Sequence, residues 1–290
     1  MIIQLIEQIL NGLVLGSIYA LVASGLSLIW GSMKMLNFAH GELYMLGGFA
    51  TYYAMTLLGL PWWLAIPLAM ALVLLVGFGI EKLTIEPLLR RPGWDYTPII
   101  ATLGLSIFLQ NAALLVFGER FKNLPYFIEG SGTYFGIRMA YQRLLILVVS
   151  VAVIVLFAQF LQRSKLGMAL RAVAQDRDAA TLQGIDVRGT YMWTFGISGA
   201  LAALASAMVA PIFAINPWMG GTLLIKAFVV CVVGGLGDLR GAILGGILLG
   251  TAESLAVVLL SSEWKDVVSF AILIIVLWVR PSGFFGTKEW

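Results

Sequence analysis

Histidine and cysteine are almost missing from this chain, with one of each, His40 and Cys231, in 290 residues. One cysteine excludes an intrachain disulfide framework and a cysteine metal site. One histidine excludes a multi-histidine site, so no metal and no cofactor is expected. Charge is scarce as well. Asp, Glu, Lys and Arg make up 11% of the chain, against about 25% in soluble domains. That leaves too little polar surface to coat a globule of this length, so the bulk is expected to lie in lipid. No GxxxxGK[ST] run occurs, which excludes the usual nucleotide loop. If ATP drives anything here, another polypeptide hydrolyses it. No loop is long enough for a soluble domain. The opening MIIQLIEQIL carries Glu7 and no basic residue, unlike a signal peptide, and is expected to begin a retained first span.

What fills the chain is apolar residue, 60% of it, with a mean hydropathy of +0.96. Stretches suited to crossing a bilayer, about 20 mostly apolar residues each, occur at 8–30, 36–57, 61–81, 97–117, 143–161, 189–213, 222–236, 241–261 and 265–280. The expected fold is all-α, a polytopic transmembrane helical bundle of about 8–9 spanning or re-entrant segments, forming a single domain over 1–290. The second segment carries Asn37, His40 and Glu42 near its start. The seventh is short and follows Pro217 and the pair Gly220-Gly221. Such interruptions are tolerated at membrane depth only where protein or water covers them.

The net charge is +3 and the pI near 9.0. In a membrane chain this reflects basic cytoplasmic loops rather than nucleic-acid binding. Lys82, Arg90 and Arg91 fall in one loop. Arg163, Lys165, Arg171, Arg177 and Arg188 fall in loop 162–188. Arg240 lies in a later turn, and Arg280 and Lys288 in the tail. Placing these inside puts the N-terminus outside and the C-terminus inside. Stretch 118–142, with Arg120, Lys122 and Arg138 offset by Glu119 and Glu129, then lies outside. Trp62, Trp63, Trp218 and Trp264 read as an interfacial belt at the outer ends. Gly12/Gly16, Gly241/Gly245 and Gly246/Gly250 have the GxxxG spacing that lets helices approach closely in lipid.

The segment RAVAQDRDAATLQGID, 171–186, is the exception to this oily pattern. A helix is expected from Met168 to about Leu182, capped by Ser164 and stopped by Gly184. Leu166, Leu170, Val173 and Ala174 share one side. Basic residues stand toward its start and Asp176 and Asp178 toward its end, the reverse of what a helix dipole favours. That order, with an acidic pair on the polar face, suggests a protein partner rather than lipid headgroups.

Asp178-Ala179-Ala180, three residues, then Gly184 resembles the EAA-x3-G motif by which permeases of ATP-binding-cassette importers dock their ATPases, with Asp in place of Glu. The stretch LVLGSIYALVASGLSLIWGSMKMLNFAHGELYMLGG, 13–48, with RSKLGMALRAVAQDRDAATLQGI and GGLGDLRGAILGG, is similar to the branched-chain amino-acid permease family, specifically its shorter, H-type subunit. The similarity runs from about residue 8 to residue 283. It implies a bundle with pseudo-symmetric halves in the bacterial plasma (inner) membrane. It also implies a second homologous permease as heterodimer partner, two cytoplasmic ATPases and an extracytoplasmic substrate-binding protein. The chain itself would be no enzyme. ATPase docking would use Arg171, Asp176, Asp178, Ala179, Ala180 and Gly184. Urea and short-amide permeases look alike, so those substrates, or other amino acids, are the alternative. Within the chain, 13–48 and 197–250 echo one another as small-residue helix, polar break and Gly-rich segment.

Candidate path or gate residues are Asn37, His40, Glu42, Gln110, Asn111, Lys226 and Glu253, since polar groups at membrane depth are costly. Each has a plainer reading. Asn37 and Glu42 suit a helix start. Gln110 and Asn111 suit interhelical hydrogen bonds. Lys226 and Glu253 suit an ion pair or snorkelling. An ion-coupled secondary carrier is the rival from another class. Glu253 is the one deep acid that such a carrier would have, and the docking motif would go unexplained. An intramembrane enzyme would need acids, histidine or serine gathered at one depth, which this sequence lacks.

Overall fold

The computed structural model describes residues 2–89, 97–134 and 137–286. Arg90, Arg91 and Lys288 of the charge tally lie outside these. Each of the nine expected segments is a helix: α1 (Ile2–Met33), α2 (His40–Thr56), α3 (Trp62–Ile80), α5 (Thr97–Phe117), α6 (Tyr141–Arg163), α9 (Val187–Val209), α10 (Met219–Gly234), α11 (Leu239–Leu259) and α12 (Trp264–Val279). A π-helical turn, Glu81–Ile85, extends α3 into the short α4 (Glu86–Leu89). A hairpin of β1 (Ser131–Tyr134) and β2 (Ile137–Ala140), with Ser131 opposite Ala140, precedes α6. Loop 162–188 holds α7 (Lys165–Gln175) and α8 (Arg177–Leu182).

Among the described residues, six helices are long and apolar enough to cross a membrane: α1, α3 with its extension, α5, α6, α9 and α11. The other three have 16 or 17 residues. At 1.5 Å per residue that is about 25 Å, short of a hydrocarbon core of about 30 Å. Helices α1 and α9 form the centre, while α5 and α6 lie at the margin with most of their surface uncovered.

Small residues set the packing. A Cβ on Gly16 would stand 2.8 Å from the Gly246 carbonyl oxygen, and one on Gly77 would stand 2.6 Å from that of Phe195. Backbones therefore touch directly where α1 meets α11 and where α3 meets α9, which is how helices gain dispersion contact in lipid. The contacts follow a pattern. Helix α1 packs on α11 and α9 on α3; α10 packs on α1 and α11, and α2 on α9 and α3; α12 packs on α10 and α5 on α2. The set α1-α2-α3-α5 thus mirrors α9-α10-α11-α12. Helices α1 and α9 cross antiparallel, with Gly25 beside Ser198 and Ser32 beside Thr194, so the halves form an inverted repeat. The echo between 13–48 and 197–250 has this geometric form.

Two of the tryptophans expected in the belt have further roles in the fold. Trp62 stacks on Phe127, with ring centroids 5.6 Å apart. Trp218 is the N-cap of α10, next to residues packed on the first turn of α2.

Candidate functional site

Loop 162–188 is two helices where one was expected. Ser164 caps α7 as anticipated, accepting from Gly167 N at 2.8 Å. Leu170 and Val173 turn inward. At Asp176 the backbone is extended (φ −155°, ψ 111°) and ends α7. The Asp176 carboxylate then accepts from the amides of Asp178 and Ala179, both at 2.9 Å, and starts α8. An aspartate offering its backbone this local alternative breaks a helix readily. The break also overturns the charge-order argument. Asp176 and Asp178 stand at the positive end of α8, where they favour it.

What marks α8 is its exposure. Ala180 alone is buried; Arg177, Asp178, Ala179, Thr181 and Leu182 face outward. Leu182 is 87% exposed, and nothing in the sequence pattern had singled it out. Arg171 is exposed too and donates to the Gln162 carbonyl at 3.3 Å. It lines a 410 Å³ cavity with Asp238 and Arg240. Gly184 closes α8 with φ +79°. Its amide bonds the Thr181 carbonyl at 3.0 Å, and the Ile185 amide bonds that of Ala180 at 3.1 Å. This pair is a Schellman end. Among the described residues, no atom beyond its chain neighbours lies within 4 Å of a Cβ built there, so the constraint is backbone conformation and not space. Gly184→Ala should therefore cost about 1 kcal/mol locally and Gly184→Asn less. Hydrogen exchange at the Ile185 amide should rise for alanine and change little for asparagine.

The second locus is the start of α2. After α1 ends, Lys34 turns at φ +53° and the chain doubles back along α1. His40 thereby sits level with Val22, its Nε2 3.1 Å from the Val22 carbonyl and its Nδ1 3.1 Å from Ser198 Oγ. Val22 precedes the end of α1 by eleven residues, a depth of roughly 16 Å. The returning backbone is satisfied by α5: Thr102 Oγ1 accepts from Phe38 N at 3.2 Å and donates to the Leu36 carbonyl at 3.4 Å. Asn37 and Glu42 are 1% and 2% exposed. Asn37 Oδ1 accepts from Ala39 N at 3.0 Å, and the N-cap is Ala39, so Asn37 shapes the turn before the helix without capping it. Glu42 Oε1 accepts from Ser106 Oγ of α5 at 3.0 Å.

The start of α10 repeats this. Asn216 Oδ1 accepts from Trp218 N at 2.9 Å, and Gly220 stands four residues on, as Gly41 does after Asn37. The segment before α10 is held by Lys122 and Ile215, which exchange backbone hydrogen bonds of 2.9 and 2.8 Å. The two first turns meet backbone to backbone. A Cβ on Gly41 would strike the Gly220 carbonyl, and one on Gly220 would strike that of Gly41. Two short helices thus abut by their N-termini inside the bundle.

Lys226 and Glu253 pair at 2.6 Å, both buried. Lys226 Nζ also meets Asp266 Oδ1 at 2.7 Å and Ser269 Oγ at 3.0 Å. Glu253 takes further donors from Tyr19 OH at 2.8 Å and from Ser269 Oγ. This network ties α1, α10, α11 and α12 together, and Tyr19, Asp266 and Ser269 were not foreseen in it. Gln110 is half-buried. Asn111 is exposed on α5, with Nδ2 donating to its own helix at the Ile107 carbonyl, 2.7 Å away. Among the described residues, no three His, Cys, Asp or Glu side chains group so as to hold a metal ion.

A family profile described as "Branched-chain amino acid transport system / permease component" matches residues 8–277. The high-affinity branched-chain amino acid transport system permease protein BraD of Pseudomonas aeruginosa is 39% identical, over 98% of this chain and 96% of that protein. The corresponding permease protein LivH of Escherichia coli K12 is 36% identical over the same shares. Among solved structures, PsaBC from Streptococcus pneumoniae in complex with Fab aligns with a TM-score of 0.49 at 14% identity, covering 96% of this chain and 92% of that one. A match running through both halves of the inverted repeat, at such identity to proteins of nearly equal length, makes this multi-pass protein of the bacterial inner membrane a member of the branched-chain amino acid transport permease family.

Proposed function

We propose that residues 1–290 act as one permease unit, the membrane-spanning subunit of an ATP-driven importer for branched-chain or related hydrophobic amino acids. The observation that carries this is α8. A Schellman-ended helix with the DAA-x3-G pattern turns all but Ala180 outward and leaves Leu182 bare. An aqueous loop gains nothing by exposing a leucine, whereas a groove in an ATPase gains its burial. The basic loops lie inside, so the N-terminus is outside and α8 faces the cytoplasm. One of two ATPase subunits binds there and the other on the second permease, and closure of the ATPase pair moves α7 and α8. Helix α7 packs on α1 and α9, so the motion reaches the centre of the bundle and alternates access. A second, homologous permease covers α5, whose Asn111 would otherwise meet lipid. A binding protein delivers substrate from outside. Glu253, the acid an ion-coupled carrier would use, has both oxygens engaged by donors.

The test is reconstitution in vesicles with and without the ATPases and binding protein encoded beside the chain. Leucine uptake should require both and require ATP on the face where a thiol introduced at Gln183 is labelled. Uptake by the chain alone, driven by an ion gradient, would overturn the reading.

A further inference from the structure

The 410 Å³ cavity beside Arg171 falls within the range of about 300–1,000 Å³ typical of small-molecule sites. It lies at the end of the bundle that carries α7 and α8, between α1, α6, α7 and the turn joining α10 to α11. It reaches inward to Ser24, nine residues before the end of α1, a depth of roughly 14 Å. Leu28 of α1, Phe157 and Leu161 of α6 and Ile243 of α11 form its apolar wall.

Charged groups of both signs border that wall. Arg171 comes from α7 and Arg240 from the first turn of α11, and both side chains are exposed. A helix dipole disfavours a cation at its N-terminal end, so Arg240 does not serve its own helix. Among the described residues neither arginine has a carboxylate partner, whereas Arg188 and Lys226 do. On the negative side stands Asp238, half-buried in the turn. One of its oxygens accepts from Gly241 N at 2.8 Å, and a carboxylate can accept further donors. The exposed side chain of Gln162, on the same cavity, offers another acceptor. One wall can also move. Leu170, Arg171 and Ala174 belong to α7, which is joined to the exposed α8 at Asp176.

Resting on the permease reading, we propose that this cavity is the station from which a zwitterionic amino acid is released to the cytoplasm. Its carboxylate lies between Arg171 and Arg240. Its ammonium meets Asp238, with the Gln162 amide as a second acceptor. Its aliphatic side chain lies among Leu28, Phe157, Leu161 and Ile243. Because Arg171 rides on α7 and Arg240 on α11, closure of the ATPases changes the spacing of the two guanidinium groups. The carboxylate clamp is made and broken with the nucleotide cycle.

The complete importer in vesicles, with its ATPases and binding protein, tests this using leucine. Ala158 of α6 lines the cavity, while Ala152 of the same helix is exposed away from it. Ala158→Leu fills the cavity and should lower ATP-dependent leucine uptake at least tenfold with the ATPases still bound; Ala152→Leu should leave uptake unchanged. Ala158→Cys gives a readout that does not depend on tolerating a large side chain. The native Cys231 is buried, so a small thiol reagent added on the ATPase side should reach the introduced thiol. Saturating leucine on that side should slow labelling at least threefold. Leucinol, which lacks the carboxylate, should not slow it, and adding Arg240→Gln should abolish protection by leucine. If leucine and leucinol protect equally, or Arg240→Gln keeps the protection, the arginine clamp is wrong. If the wild-type importer takes up leucine but leucine does not slow labelling, the cavity is not its station, whatever Ala158→Leu does, and the permease reading stands. If the wild-type importer takes up no leucine under ATP, the permease reading and this site fall together.

Discussion

Leu182→Arg is expected to lower ATP-driven uptake by about 10- to 150-fold without disturbing the bundle. Seating a leucine in a groove stabilises a complex by about 1.5–3 kcal/mol, and each 1.4 kcal/mol is a factor of ten. The chain itself loses little, because the side chain is 87% exposed and the polar cap at Asp176 and the glycine end at Gly184 are both untouched. Asp178→Arg makes a useful contrast. It removes a first-turn acid from α8 and should weaken the helix itself by up to about 1 kcal/mol, so its defect mixes docking with local fraying. Co-purification of the ATPases, uptake and the thermal midpoint of the solubilised chain separate these effects. A Leu182→Arg protein that holds its ATPases and transports normally would remove α8 from the coupling route.

Lys226→Met should be the most destabilising single change in the bundle. It strands Glu253, which is 3% exposed, and breaking a buried pair by removing one partner costs about 3–5 kcal/mol. Against a total stability of about 5–15 kcal/mol, that loss should cut the amount of inserted protein severalfold. The solubilised thermal midpoint should fall by roughly 10 °C. Asp266 suffers less, because its side chain is 54% exposed and can find water. Adding Glu253→Gln to Lys226→Met should recover at least half of the loss, since the amide oxygen can still accept from Tyr19 while its nitrogen donates to Ser269 Oγ, whose own hydrogen can turn to the Lys265 carbonyl, and no charge is left to bury. If the double variant is no better than the single one, the lysine is held by something other than this pair.

Much of the architecture was legible from hydropathy, because a bilayer demands internally satisfied backbone and long apolar runs. All nine segments became helices; of the three GxxxG pairs, Gly12/Gly16 on α1 meets Gly246/Gly250 on α11, while Gly241/Gly245 packs on α10 at Val230 and Gly234. The caps at Ser164 and Gly184 were legible too, being decided by neighbouring residues. The break at Asp176 was not read, although its signal was present: an aspartate followed by a second aspartate two residues on suits an N-cap as well as a helix interior. Reading through it produced an apparent conflict with the helix dipole that does not exist. Asn37, His40 and Glu42 were found as polar groups in apolar surroundings, but their arrangement was out of reach. His40 meets Val22 and Ser198, partners 18 and 158 residues away.

The sequence by itself determined that this chain lives in lipid, which nine apolar segments are helical, where an exposed motif interrupts them, and which family the chain resembles. These properties depend on composition, short periodicities and local capping, which act over a few residues. Only the tertiary structure decided that the halves are inverted, that α2 and α10 meet by their N-termini at Gly41 and Gly220, and that Lys226 serves Glu253 and Asp266 together. Those depend on which backbones can approach closely across the bundle. That is settled by glycines far apart in the chain finding each other, and no local pattern records it.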